Sequence, residues 1–184
     1  MPDRDFKDLK IDTVSKSFPG VQALDSVSMN ISAGKVHALM GENGAGKSTL
    51  IKILAGAYAK ESGTLSFDNK ELNIKNPHDS LNYGIKVVYQ EISLISEFTV
   101  AENIFLAGSK VKRFATINKL AEEAKPYLEL VGLNDIDPSI RANLLSVGEQ
   151  HLVEVARLLT HEAKILILDE PTAALGESES RRIL

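Results

Sequence analysis

The sequence predicts an α/β protein: a mostly parallel sheet with an antiparallel β subdomain near its N-terminal end and a helical subdomain inserted before one more core strand, the C-terminal part of the core being absent from the 184 residues. Three observations carry this reading. Short apolar runs with strand character crowd the first 90 residues. Helical periodicity takes over between about 91 and 160. Strand character then returns at 165–168, "ILIL", a run that ends in two carboxylates.

Taken in order, "LKIDTV" (9–14) reads as a strand, and "SVSMNI" (26–31) as a half-buried one. In the latter Val27, Met29 and Ile31 share one face and Ser26, Ser28 and Asn30 the other. The apolar run 36–40 predicts a strand leading into a glycine-rich loop, and a helix pattern follows from Lys47 to about Tyr58. "GTLSFDNKEL" predicts a strand and a turn at Asp68-Asn69; "IKVVYQ" (85–90) predicts a buried strand. Thr99 and Glu102 form a capping-box pattern. In 116–133 the residues Ile117, Leu120, Ala124, Tyr127, Leu128 and Val131 recur at helical spacing, Gly132 suits the C-terminal cap, and Pro126 predicts a kink or break. A further helix is expected to open near Ser146, and another near Glu177. The expected division is 1–90 for the β-rich part and core, 91–162 for the helical insert and 163–184 for the strand that ends in the two carboxylates and the segment after it.

Composition narrows the function classes. The 184 residues suffice for one core, which at this size buries roughly 70% of the unfolded surface. A hydrophobic fraction of 43% with 25% charged residues is that of a globular chain. The net charge of −4 argues against a nucleic-acid footprint, so nucleic acid is not an expected partner. There is no cysteine, which removes disulfide frameworks and thiolate metal sites. The charged first ten residues hold no apolar signal-peptide core, and no run approaches the roughly 18 apolar residues of a membrane span.

The chemistry concentrates in two places. "GENGAGKST" (41–49) is Gly41-Glu42-Asn43-Gly44-Ala45-Gly46-Lys47-Ser48-Thr49. Glycines allow a tight loop whose N–H groups converge on phosphate oxygens, and the helix after it offers unpaired N–H groups and a positive dipole end. Lys47 is a compact cation for β- and γ-phosphates; Ser48 offers a hydroxyl to Mg²⁺. An incidental match to this spacing in a chain of ordinary composition arises at roughly 1%. The second place is the end of 165–168, where Asp169 can hold Mg²⁺ through its water shell and Glu170 can polarise an attacking water. Without the phosphate loop, that pair would read as an acidic turn.

With "VVYQE" and "LSVGEQ" between these two motifs, the chain resembles the ATP-binding subunit of an ABC transporter, within the P-loop NTPase fold. Its wording is most similar to the bacterial importers of ribose, galactose or xylose. The resemblance implies ATP and Mg²⁺ as ligands, with Phe18 stacking on adenine and Val21 packing beside it. It implies Gln90 touching Mg²⁺ or the lytic water while sensing the helical insert. A strand-end glutamine or a core phenylalanine is the plainer reading of each. Ser146, Val147, Gly148 and Glu149 would contact the γ-phosphate held by a second ATPase domain or subunit. Ser146-x-x-Glu149 is also a capping box, and the two roles are compatible. Implied partners are membrane permease subunits and, indirectly, a periplasmic or lipid-anchored sugar-binding protein. The implied location is the cytoplasmic face of the membrane. The alternative is a soluble ABC-family ATPase without a permease.

The chain departs from the family pattern in three ways. Val147 and Glu149 stand where the usual signature has Gly and Gln, a pattern the sugar-importer branch tolerates. Gly176 stands where many relatives carry an aspartate that meets the partner subunit. The histidine that relatives place after the next strand has no counterpart. His37, His78, His151 and His161 all precede Asp169, and surface or strand-edge roles suit them. The expectation is therefore an N-terminal piece of a longer tandem chain, able to bind ATP but incomplete for turnover.

Overall fold

The computed structural model describes residues 8–89, 92–106, 116–160 and 163–169. They fall into two compact units, Met1–Ile85 and Lys86–Leu184. Among the described residues no helix is long and apolar enough to cross a membrane.

The first unit is built on a four-stranded antiparallel sheet. Its strands are β1 (Leu9–Phe18), β2 (Val21–Ile31), β3 (Ser62–Phe67) and β4 (Lys70–Glu71), in the order β2-β1-β3-β4. Leu9, Ile11 and Val14 are buried although the last step is three residues, not two. Thr13 sits at φ 49 where the β1–β2 register shifts, and this extra residue returns Val14 to the core face. On β2 the expected alternation is present: Val27, Met29 and Ile31 are half-buried and Ser26, Ser28 and Asn30 exposed. Asp68 and Asn69, at φ 55 and 56, make the tight turn between β3 and β4, a conformation that, glycine aside, Asn and Asp tolerate best.

Helix α1 (Lys47–Leu54) buries Leu50, Ile51, Ile53 and Leu54. It stops short of Tyr58 because Gly56, at φ 75, closes a Schellman motif: Gly56 N–H donates to the Ile53 carbonyl and Ala57 N–H to that of Lys52, at 3.0 and 2.8 Å. A Cβ at Gly56 would run into the Asn76 carbonyl oxygen, so the turn is closed to other residues. Helix α2 (Pro77–Asn82) starts at Asn76, whose side chain accepts from Asp79 N–H.

The strand expected at 36–40 is not formed. That run pairs with no strand among the described residues, and Val36 and Met40 are 89% and 87% exposed. A continuous apolar run belongs in a parallel sheet covered on both faces, and the antiparallel sheet of this unit offers it no place.

In the second unit β5 (Ile85–Val88) pairs with β6 (Ile165–Leu168). Their C-terminal ends lie side by side, Asp169 N–H donating to the Val88 carbonyl at 2.9 Å, as in a parallel pair. The helical part holds α3 (Val100–Phe105), α4 (Ile117–Leu130) and α5 (Val147–Leu159) around one apolar cluster that includes Ile104, Leu128 and Leu152. Thr99 and Glu102 close the expected capping box on α3. Gly132, at φ 74, ends α4 with a second Schellman motif, through Leu133 N–H to the Leu128 carbonyl.

On α4 no break occurs, and one apolar position lies outside the buried face. The helix runs through Pro126 without a break; Pro126 and Glu122 are both exposed, so the Glu122 carbonyl freed by proline can turn to water. Ile117 is exposed and Ala121 buried, because the first turn of α4 extends past the edge of the cluster.

Fully buried Asn103 holds the approach to α3. Its Oδ1 accepts from Ile95 N–H at 2.8 Å, and its Nδ2 donates to the carbonyls of Ile95 and Thr99 at 3.0 and 3.1 Å. Truncation would strand these backbone groups. Asn103→Ala is therefore expected to lower stability by about 2–3 kcal/mol, read from the urea midpoint by circular dichroism.

Candidate functional site

In the first unit the loop 41–49 follows from its glycines. Gly46, at φ 85, is the N-cap of α1, and a Cβ there would run into the Ala23 carbonyl oxygen of β2. Only glycine satisfies both the left-handed backbone and this close approach. Gly44, also at φ 85, has open space where a Cβ would be. Residues 41–45 are exposed. Ala45 N–H donates to the Glu42 carbonyl at 3.1 Å, and Lys47 Nζ donates to the carbonyls of Gly41 and Glu42 at 2.7 and 2.9 Å. The ammonium is thus held across the mouth of its own loop.

Helix α1 has no acidic residue in its first turn and Lys52 in its last, which is the charge order that favours an anion at its N-terminal end. Ser48 is exposed and Thr49 half-buried on that first turn. The glycine cradle, the cation and the helix end fit a polyphosphate.

The same unit carries Phe18 and Val21. They form a directly opposed pair across the hairpin turn at Pro19-Gly20, with Gly20 at φ 81. Phe18 is half-buried and Val21 61% exposed. The hairpin therefore brings together the two residues expected at the base.

In the second unit Asp169 lies half-buried at the end of β6, beside the end of β5. Gln90 and Glu170 lie outside the described residues. Tyr89, which the sequence motifs pass over, is described. Burial of its phenol, and then the nearby Asp169 carboxylate, push the hydroxyl above the usual phenol range. Its position next to Gln90, at the end of an apolar run, was the available signal. The Asp169 carboxylate of this unit is a hard oxygen donor of the kind Mg²⁺ takes, and so, in the first unit, is the Ser48 hydroxyl.

Helix α5 begins at the third motif. Ser146 is its N-cap: Glu149 N–H donates to Ser146 Oγ at 3.2 Å, and Ser146 N–H donates to Glu149 Oε2 at 2.7 Å. The carboxylate that departs from the usual family wording is thereby engaged by its own cap. Ser146 Oγ accepts within the box, which leaves its proton for an outside acceptor. Ser146 and Val147 are exposed, and Gly148 is buried.

Further along α5, His151 is 5% exposed, not a surface histidine. Its Nδ1 lies 3.9 Å from Oε2 of buried Glu154. Glu154 Oε1 accepts from Ser93 N–H and Ser93 Oγ at 2.7 and 2.6 Å and from Arg157 Nη2 at 3.2 Å. Each of these partners offsets the cost of burying the carboxylate.

Comparison with known proteins agrees with the geometry. The family described as ABC transporter matches residues 24–173. The ribose import ATP-binding protein RbsA of Clostridium perfringens (strain SM101 / Type A) is 47% identical over 178 residues, covering 95% of this chain and 35% of that protein. The xylose import ATP-binding protein XylG of Geobacillus kaustophilus (strain HTA426) is 45% identical over 174 residues, 93% of this chain and 34% of that one. The chain thus spans about a third of the length of these relatives. An ATP-binding cassette of an ABC transporter in its ADP conformation superposes with a TM-score of 0.81 at 31% identity, over 96% of this chain and 74% of that one. A dimeric bacterial ABC transporter cassette gives 0.79 at 28%, over 95% and 79%. The α/β fold expected from the sequence is the fold of these cassettes. With a family match over most of its length, the chain belongs to the ABC transporter family.

Proposed function

We propose that the chain is an ATP-binding domain of a sugar importer, binding MgATP and contributing to its hydrolysis so that a sugar passes through a membrane permease. The observation that carries this reading is the loop 41–49, with Gly46 fixed against β2 and the Lys47 ammonium at its mouth. The similarity to ribose and xylose import ATP-binding proteins supports the sugar-importer assignment.

In this reading Lys47 and the N–H groups of the loop hold the β- and γ-phosphates. Phe18 stacks on the base with Val21 beside it. Ser48, Gln90 and Asp169 are the ligands for Mg²⁺, whose chemistry is to offset phosphate charge. Glu170 accepts a proton from water as the water oxygen bonds to the γ-phosphorus; the bond to the bridging oxygen breaks, and ADP and phosphate leave. The Ser146 hydroxyl, with Val147, Gly148 and Glu149 around it, donates to the γ-phosphate on a second ATPase domain. A dimeric cassette among the similar structures supports that pairing. The segment 91–162 acts as the helical insert that faces the permease, with Gln90 as its link to the site. The protein works at the cytoplasmic face of the membrane, and a sugar-binding protein on the far side delivers the substrate.

Lys47→Ala in the 184-residue chain is expected to weaken MgATP binding at least tenfold by calorimetry; unchanged affinity refutes the phosphate grip. In the complete importer ATPase, Glu170→Gln is expected to retain MgATP binding and lower turnover at least 100-fold. Normal turnover removes Glu170 from the proton transfer. Recovery of the complete protein with ribosomes and not with a permease would replace the importer reading by that of a soluble ATPase.

A further inference from the structure

The end of α1 and the end of β1 meet in an aromatic pair that neither phosphate nor Mg²⁺ binding calls for. The Phe18 and Tyr58 ring centroids lie 5.3 Å apart with an interplanar angle of 67°, an edge-to-face contact. Tyr58 follows the Schellman turn of α1, and its N–H donates to the Lys52 carbonyl at 3.1 Å. Gly56, which cannot carry a side chain beside the Asn76 carbonyl, determines where the turn delivers Tyr58. On the same helix Lys52 Nζ sits 5.4 Å from the centre of the Tyr58 ring. The Phe18 ring has a cation of its own: Lys16 Nζ is 5.4 Å from its centre and 3.7 Å from Glu61 Oε1. Glu61 in turn accepts from Ser17 Oγ at 3.0 Å, and the Ser17 contacts hold its carboxyl below the usual range.

A ring at a hairpin end can turn about χ1, and a stacking surface that turns must be ordered again whenever it binds. Tyr58 removes that freedom, and it does so from the turn that closes the helix whose first residue is Lys47. We propose that Tyr58 is a positioning residue for nucleobase binding: through its edge-to-face contact it holds the Phe18 ring in the plane a purine stacks on. It thereby ties the base platform to the helix that holds the phosphates. The inference rests on the reading of Phe18 as the base platform.

The test separates base from phosphate. MgATP and magnesium tripolyphosphate are titrated calorimetrically into the chain and its variants. Tyr58→Leu is expected to weaken MgATP about three- to tenfold and leave tripolyphosphate unchanged. Tyr58→Phe, which keeps the ring, should restore MgATP affinity to within twofold. Should Tyr58→Leu not fold, Tyr58→Met, of similar reach and without a ring, carries the same comparison. Equal weakening of both ligands marks a purely structural role and overturns the proposal, as does no weakening of either. Phe18→Leu distinguishes the two levels. If it weakens MgATP selectively and Tyr58→Leu does not, the platform stands and the role of Tyr58 is refuted. If neither variant weakens MgATP selectively, the platform reading falls and the proposal falls with it.

Discussion

A loop can turn tightly into a helix while resting on a neighbouring strand only where side chains stand aside, and Gly46 is where this chain meets that demand. Its left-handed conformation turns the loop into α1, and its bare Cα lets the loop rest against the Ala23 carbonyl of β2. Everything else at the start of α1 inherits its place from that contact. Lys47 is the next residue, Ser48 follows on the same turn, and the helix axis that gives the N–H groups their direction starts there. A substitution at Gly46 would displace the helix start and with it each of these groups.

The helical part of the second unit relies on a different device, which is polar groups buried with full partners. Asn103 satisfies the approach to α3, and Glu154 gathers Ser93 and Arg157 onto α5. Both capping boxes, Thr99–Glu102 and Ser146–Glu149, satisfy orphan N–H groups at helix starts. Ser146 is thus held by ordinary helix chemistry in a conformation that leaves its hydroxyl proton available. A functional role then needs no separate scaffold.

Features set by neighbours in the chain are legible in the sequence. Gly132 as a helix end, Asp68-Asn69 as a turn, the two capping boxes and the faces of β2 all come from local chemistry. So does the glycine turn into α1 at Gly46. What the sequence withholds depends on partners far along the chain. Whether 36–40 pairs depends on which strands are offered to it. Whether Pro126 breaks α4 depends on where the Glu122 carbonyl faces. The burial of His151 results from helix packing, and the Phe18–Tyr58 contact joins a strand end to a helix end. The bulge at Thr13 is hidden for a related reason, since neither Thr nor Asp at that point marks a register shift in the way a glycine would.

The bond between Ser93 and Glu154 spans 61 residues, and the β5–β6 pair closes a longer interval still. A chain emerging from the ribosome therefore exposes β5 and the apolar sides of α3 and α4 well before α5 and β6 exist to cover them. The β5–β6 pair cannot form until about 80 residues after β5 have been made. During that interval β5 lacks the strand it pairs with among the described residues, and a lone strand edge is a place where nascent chains associate.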